Sequence, residues 1–202
     1  MALGRLHVIV DRLSTAEAAL AAGAPVIQVR LKDASDREVH AFTSRVLELA
    51  APHGATVVVD DRLDVALAAG AHGVHVGDHD LPVDAVRRVV PSPSFIVGGT
   101  ARDPATAVAL QAAGASYLGV GPCYPTSSKT GLPPPGGPAR VRAVAAAVSV
   151  PVIAIAGVTA ARVPELLDAG AHGVAVIGAV AQADDPRAAT AALLAALAGV
   201  NP

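Results

Sequence analysis

The residues able to do chemistry are gathered into short polar phrases, each closing an apolar run. The first is Gln28-Val29-Arg30-Leu31-Lys32, where the alternation of an extended chain aims Gln28, Arg30 and Lys32 to one side. Asp60-Asp61-Arg62 ends a second run, and His75-Val76-Gly77-Asp78-His79-Asp80 ends a third. Further along stand Gly98-Gly99-Thr100, then Gly121-Pro122 running into Thr126-Ser127-Ser128-Lys129, then Gly157, then Ile177-Gly178. Arg30, Lys32 and Lys129 form a cationic set suited to phosphate oxygens. Asp61 and Asp80 are carboxylates from neighbouring runs, and carboxylates beside a phosphate site make sense with a hard divalent cation between them. Mg²⁺ is held in this way, by one or two carboxylates plus substrate phosphates. Backbone N–H groups around Gly157 and Gly178 would suit a monophosphate. Two anionic subsites are therefore expected, one metal-assisted and one not.

Each feature has a plainer reading. Arg30 and Lys32 could pair with Asp60 and Asp61 as a structural network. His72 and His172 occupy equivalent positions in two repeats and read as structural. His75 and His79 lie four apart on an extended segment, which is not the helical spacing a metal pair needs. Cys123, set between prolines and other loop residues without an obvious base, reads as inert.

The elements that must position these residues announce themselves by repetition. AGAPVIQV begins at Ala22, AGAHGVHV at Ala69, AGASYLGV at Ala113 and AGAHGVAV at Ala169. Each reads as a helix end, a glycine cap (Gly23, Gly70, Gly114, Gly170) and a buried strand. Eight strands are expected, over 6–10, 26–30, 56–60, 73–77, 95–99, 117–121, 152–156 and 173–178. Several are continuous apolar runs, as in parallel strands covered by helices. Helices are expected over 36–51, 63–69, 83–89, 104–113, 140–148, 160–169 and 186–197. Eight strands alternating with helices point to a single (β/α)₈ TIM barrel spanning 1–202, with an open doubly wound sheet as the alternative. In a barrel, the polar phrases at the strand ends form one rim. The stretch 121–138, rich in Gly, Pro, Ser and Thr, is long enough to read as a functional loop.

Composition narrows the classes. With 202 residues, 52% hydrophobic and a formal net charge of −2, the chain is a folded protein. That charge also argues against nucleic acid or an anionic membrane as partner. One cysteine excludes a disulfide framework. Neither a secretory signal nor a membrane span is expected, so the location expected is cytoplasmic, and self-association into a homo-oligomer stays open.

The residues that carry chemistry also resemble those of the thiamine phosphate synthase/TenI family. The resemblance rests on VIQVRLKD (26–33), DDRLDVALAAGAHGVHVGDHDLP (60–82), IVGGT (96–100), YLGVGPCYPTSSKTG (117–131), PVIAIAGV (151–158) and AGAHGVAVIGAV (169–180). It implies a transferase of thiamine biosynthesis acting on two small molecules. A diphosphooxymethyl pyrimidine would lose pyrophosphate by a dissociative route, and the nitrogen of hydroxyethylthiazole phosphate would take the methylene. The resemblance implies that Gln28, Arg30, Lys32, Asp60, Thr100 and Lys129 hold the pyrimidine diphosphate, with Arg30, Lys32 and Lys129 catalytic. It also implies Mg²⁺ on Asp61 and Asp80, Thr126, Ser127 and Ser128 against the thiazole partner, and Gly157, Ile177 and Gly178 around its phosphate. Asp60 replaces the family's Asn, which is expected to add negative charge beside the diphosphate. Asp78 replaces a Gln and Gly178 a Ser, and the segment before Gln28 is short, so a curtailed first helix is expected. The family's thiazole tautomerase and a non-catalytic phosphate-binding member are the other readings. Pro122 and Asp80 favour the synthase.

Overall fold

In the computed structural model, which describes residues 3–128 and 131–199, eight parallel strands close into a barrel in chain order. They are β1 (Leu6–Val10), β2 (Val26–Val29), β3 (Thr56–Asp60), β4 (Gly73–Val76), β5 (Ile96–Ala101), β6 (Tyr117–Val120), β7 (Val152–Ile155) and β8 (Gly173–Val176). Around them run α1 (Leu13–Ala21), α2 (Asp36–Ala50), α3 (Leu63–Ala69), α4 (Val83–Val89), α5 (Pro104–Ala112), α6 (Gly137–Ala145), α7 (Val163–Asp168), α8 (Gly178–Ala181) and α9 (Pro186–Ala198). The open sheet is excluded, because β1 pairs with β8 through Leu6–Val174, His7–Ala175 and Val8–Val176. No helix among the described residues is long and apolar enough to cross a membrane.

The glycine after each repeated helix adopts positive φ: +93° at Gly23, +74° at Gly70, +100° at Gly114 and +93° at Gly170. A left-handed residue there turns the chain straight back toward the sheet. α1 has nine residues, with Ala16, Ala19 and Leu20 buried. One expectation about helices needs correction. The helix expected over 160–169 begins as a 3-10 turn, Ala160–Arg162, and becomes α-helical at Val163, next to Pro164 in the first turn. α8 was not foreseen; four residues are too few to show a period.

Outward strand residues such as Val8, Val57, Val97 and Val174 pack under the helices in the main core. The barrel interior is a smaller cluster of Ile9, Tyr117, Ile153 and Ala175. Register fixes what faces inward. Asp60 pairs with His75, His75 with Gly98 and Gly98 with Tyr117, so these four form one row across β3 to β6. The row accommodates two rings only because Gly98 has no side chain: a Cβ there would sit 2.3 Å from Tyr117 Cζ and 2.5 Å from His75 Nδ1. Gly98→Ala is therefore expected to destabilise the barrel by overpacking, by about 1–3 kcal/mol. At roughly 2–4 °C per kcal/mol for a chain of this size, calorimetry should show a Tm several degrees lower. An unchanged Tm would mean that the row is loosely packed.

Candidate active site

The carboxyl ends of the strands open into a cavity of about 440 Å³. Its lining includes Gln28, Arg30, Asp60, Asp61, Thr100, Thr126, Ser127, Ser128, Gly157, Ile177 and Gly178, so the structure brings together most of the residues picked from sequence. Lys32 is exposed beyond the end of β2 and does not line the cavity. Asp80 stands at the edge, beside lining residue Gly77. Lys129 lies outside the described residues.

β2 and β3 supply the first group. Gln28 Nε2 donates to Asp60 Oδ1 at 2.7 Å, and Arg30 Nε faces Asp60 Oδ2 at 2.9 Å, with side chains 17% and 10% exposed. The negative charge expected from Asp60 is thus compensated inside the protein. Arg62 takes no part in this, since it turns outward to Asp36 at 2.7 Å and to Asp64 at 2.7 Å. The structural network anticipated for these residues is real for Arg30 and Asp60. It also fixes the guanidinium at the cavity wall, as a charged, well-oriented donor group does best.

Immediately after β3 the backbone bends. Asp61 has φ +64°, a left-handed conformation rare outside glycine and asparagine-like residues, and such strain clusters at functional sites. Its N–H donates to the His75 carbonyl at 2.8 Å. The carboxyl then comes within hydrogen-bonding reach of Asp80, whose Oδ2 accepts the Gly77 N–H at 2.7 Å. Loss of hydration, the charge of Asp60 and the neighbouring Asp80 push the Asp61 carboxyl up to about 7, against a smaller lowering by Arg30. Two carboxylates this close need a shared proton or a cation. Hard oxygen donors in a pair, with no cluster of three ligating residues among those described, fit Mg²⁺ that completes its shell with water and phosphate oxygens.

The opposite wall is built by the long loop and the ends of β7 and β8. Cys123 N donates to Ile155 O at 3.0 Å and Tyr124 N to Ala156 O at 3.0 Å, pinning the loop along β7. Gly157, at φ +66°, is glycine by necessity, since a Cβ would meet Pro125 O at 2.5 Å. A Cβ on Gly178 would lie 3.4 Å from Ser128 Oγ, so the loop hydroxyls and the start of α8 converge. Burial pushes the Cys123 thiol up to about 11, which agrees with its inert reading.

Sequence reasoning missed several lining residues. Arg102 pairs with Asp78, so the charge of Asp78 is compensated too. Arg162 stacks 4.1 Å above the Tyr124 ring and donates to Gly157 O at 2.6 Å. No local pattern marks either arginine. His75 also lines the cavity, and the phase of β4 against Asp60 could have revealed it. His72 and His172 are structural, through Val57 N at 3.0 Å and Leu3 O at 3.0 Å.

Comparison with known proteins agrees with this geometry. The family model described as Thiamine monophosphate synthase matches residues 6–180. Thiamine-phosphate synthase of Salinispora arenicola is 56% identical, covering 96% of this chain and 98% of its own. Its counterpart in Salinispora tropica is 57% identical over the same shares, 96% and 98%. Among solved structures, thiamine phosphate pyrophosphorylase from Pyrococcus furiosus superposes with a TM-score of 0.90 at 33% identity, covering 98% of this chain and 97% of that one.

The carboxylate pair has a consequence for stability. The folded, metal-free protein holds a proton on Asp61 up to about pH 7, whereas the unfolded chain releases it near the usual 3.8. Asp61 should therefore contribute stability that falls as pH rises from about 4 through 7, because the folded state binds its extra proton, against the opposite slope from His7, whose value burial lowers to about 3. Thermal melts in EDTA across that range should show the Asp61 contribution as the difference between wild type and Asp61→Asn, the wild type losing stability relative to the variant as pH rises. A wild-type slope equal to the variant's would contradict the shared-proton arrangement.

Proposed function

The chain belongs to the thiamine monophosphate synthase family, and we propose that it condenses 4-amino-2-methyl-5-(diphosphooxymethyl)pyrimidine with hydroxyethylthiazole phosphate, giving thiamine phosphate and pyrophosphate. The observation that carries this reading is the meeting of Arg30 with the Asp61–Asp80 pair at one rim of a single cavity. The reaction breaks the bond between the pyrimidine methylene and the diphosphate oxygen, and the electron pair leaves with the diphosphate. The thiazole nitrogen then supplies the pair for the new bond. No proton need be removed, so the site requires electrostatic stabilisation of a leaving group and no general base.

Arg30 faces the departing diphosphate with its orientation already set by Asp60. Gln28, held on Asp60, and Thr100 line the same end and bind the pyrimidine diphosphate. Lys32, exposed beyond the end of β2, adds charge at this end, and Lys129 is assigned to the same diphosphate from its sequence position alone. Asp61 and Asp80 would hold Mg²⁺, which when bound would supply positive charge against the departing diphosphate. Thr126, Ser127 and Ser128 take the thiazole partner, with Gly157, Ile177 and Gly178 around its phosphate and Arg162 nearby as a further cation. Ile9, Ile155 and Val158 add apolar wall beside these polar groups. We further propose that the barrel acts as one domain, in the cytoplasm.

Incubation with both substrates and Mg²⁺ should yield thiamine phosphate and pyrophosphate in equal amounts, and excess EDTA should abolish both. Arg30→Ala should lower kcat by about 10²-fold or more, the typical cost of removing one preorganised electrostatic group. Asp61→Asn should lower turnover sharply with the fold intact. Aromatisation of a thiazole without pyrimidine, and no thiamine phosphate, would replace this reading with the tautomerase.

A further inference from the structure

A hydrogen-bonded chain runs from the barrel interior to the cavity wall. Tyr117, 1% exposed, places its hydroxyl 3.0 Å from His75 Nδ1, and His75 Nε2 lies 3.0 Å from Thr100 Oγ1. Its space is set by glycines: a Cβ on Gly98 would strike both rings, and one on Gly119 would lie 3.1 Å from His75 Cε1. We propose that Tyr117, acting through His75, fixes the Thr100 hydroxyl as a hydrogen-bond donor to an oxygen of a bound diphosphate. The proposal rests on the reading above only for the identity of that acceptor.

The polarity follows from which group must donate. Burial, reinforced by the charge of Asp60, raises the Tyr117 phenol above its ordinary value, so it keeps its proton. A buried hydroxyl hydrogen without an acceptor is costly, and the acceptor in reach is His75 Nδ1. With Nδ1 accepting, the imidazole is neutral and carries its hydrogen on Nε2, which donates to Thr100 Oγ1. An imidazolium would set an N–H against the phenol and leave the phenolic hydrogen stranded. The other titratable group against the phenol ring, His7, lies at a centroid distance of 5.0 Å and is kept neutral by burial, its value lowered to about 3. Thr100 accepts from behind, so its own hydrogen points elsewhere. A Cβ on Gly77 would lie 4.0 Å from Thr100 Oγ1 and 3.2 Å from Asp80 Oδ2, which puts the hydroxyl at the carboxylate corner. Phosphate oxygens there are acceptors only, and a donor locked in advance loses little freedom on binding.

The test uses the full chain with ¹⁵N-labelled histidine at pH 7.5, His75 being assigned by its loss in His75→Gln. Wild-type His75 should show the neutral tautomer protonated at Nε2, and Tyr117→Phe should release it to a mixture. Pyrophosphate titrated in Mg²⁺ gives the second readout. Thr100→Val should weaken binding by about 10-fold, the scale of one hydrogen bond to a charged group. Thr100→Ser should restore it, and adding Tyr117→Phe to Thr100→Val should cost nothing more. An Nδ1-protonated or cationic His75 in the wild type, or additive losses in the double variant, would overturn the relay. Wild-type protein that fails to bind pyrophosphate would overturn its acceptor. Normal results on both readouts without thiamine phosphate synthesis would instead refute the functional reading and leave the relay standing.

Discussion

Three carboxylates, Asp60, Asp61 and Asp80, gather at one rim of the barrel, and Arg30 is held in the wall beside them, paired with Asp60. Like charges a few ångströms apart repel by about 1 kcal/mol in water and by several times that where solvent is thinned. The surrounding geometry answers this constraint. Asp60 is satisfied by Arg30 and Gln28, Asp80 by the Gly77 N–H, and Asp61 by a raised proton affinity. What remains is a pair of oxygen ligands whose charge is relieved by a proton or, better, by a divalent cation carrying phosphate.

The barrel interior packs Tyr117 against Ile9, Ile153 and Ala175, with the His7 and His75 rings beside it and Gly98 leaving it room. The same packing holds His75 between Tyr117 and Thr100, so the core that closes the barrel also orients a cavity hydroxyl. Strand pairing then brings Asp60 level with His75. Stability and site geometry therefore meet in one row of residues.

Much of this was legible in the sequence, for definite reasons. The repeated helix–glycine–strand phrase marks places where only a left-handed residue lets the chain turn back, and all four glycines sit there. Polar residues ending apolar runs marked the rim because a parallel strand leaves its burial only at its ends. Other features depend on partners distant in sequence. The Arg30–Asp60 pair was seen as one of two readings, but the outward turn of Arg62 to Asp36 was invisible. So were the Arg102–Asp78 pair and the stacking of Arg162 on Tyr124, which spans 38 positions with no local period. Lys32 shares the phase of Arg30, yet the strand ends at Val29 and phase no longer governs direction beyond it.

The central claim is that the carboxylate pair and a diphosphate are brought together by a shared cation. Calorimetric titration of pyrophosphate, with and without Mg²⁺, measures that coupling directly, and linkage requires the same factor in the reverse titration of Mg²⁺. Pyrophosphate affinity is expected to be at least about 10-fold higher with Mg²⁺ in the wild type, with the coupling lost in Asp61→Asn. Equal pyrophosphate affinity in Mg²⁺ and in EDTA would contradict it.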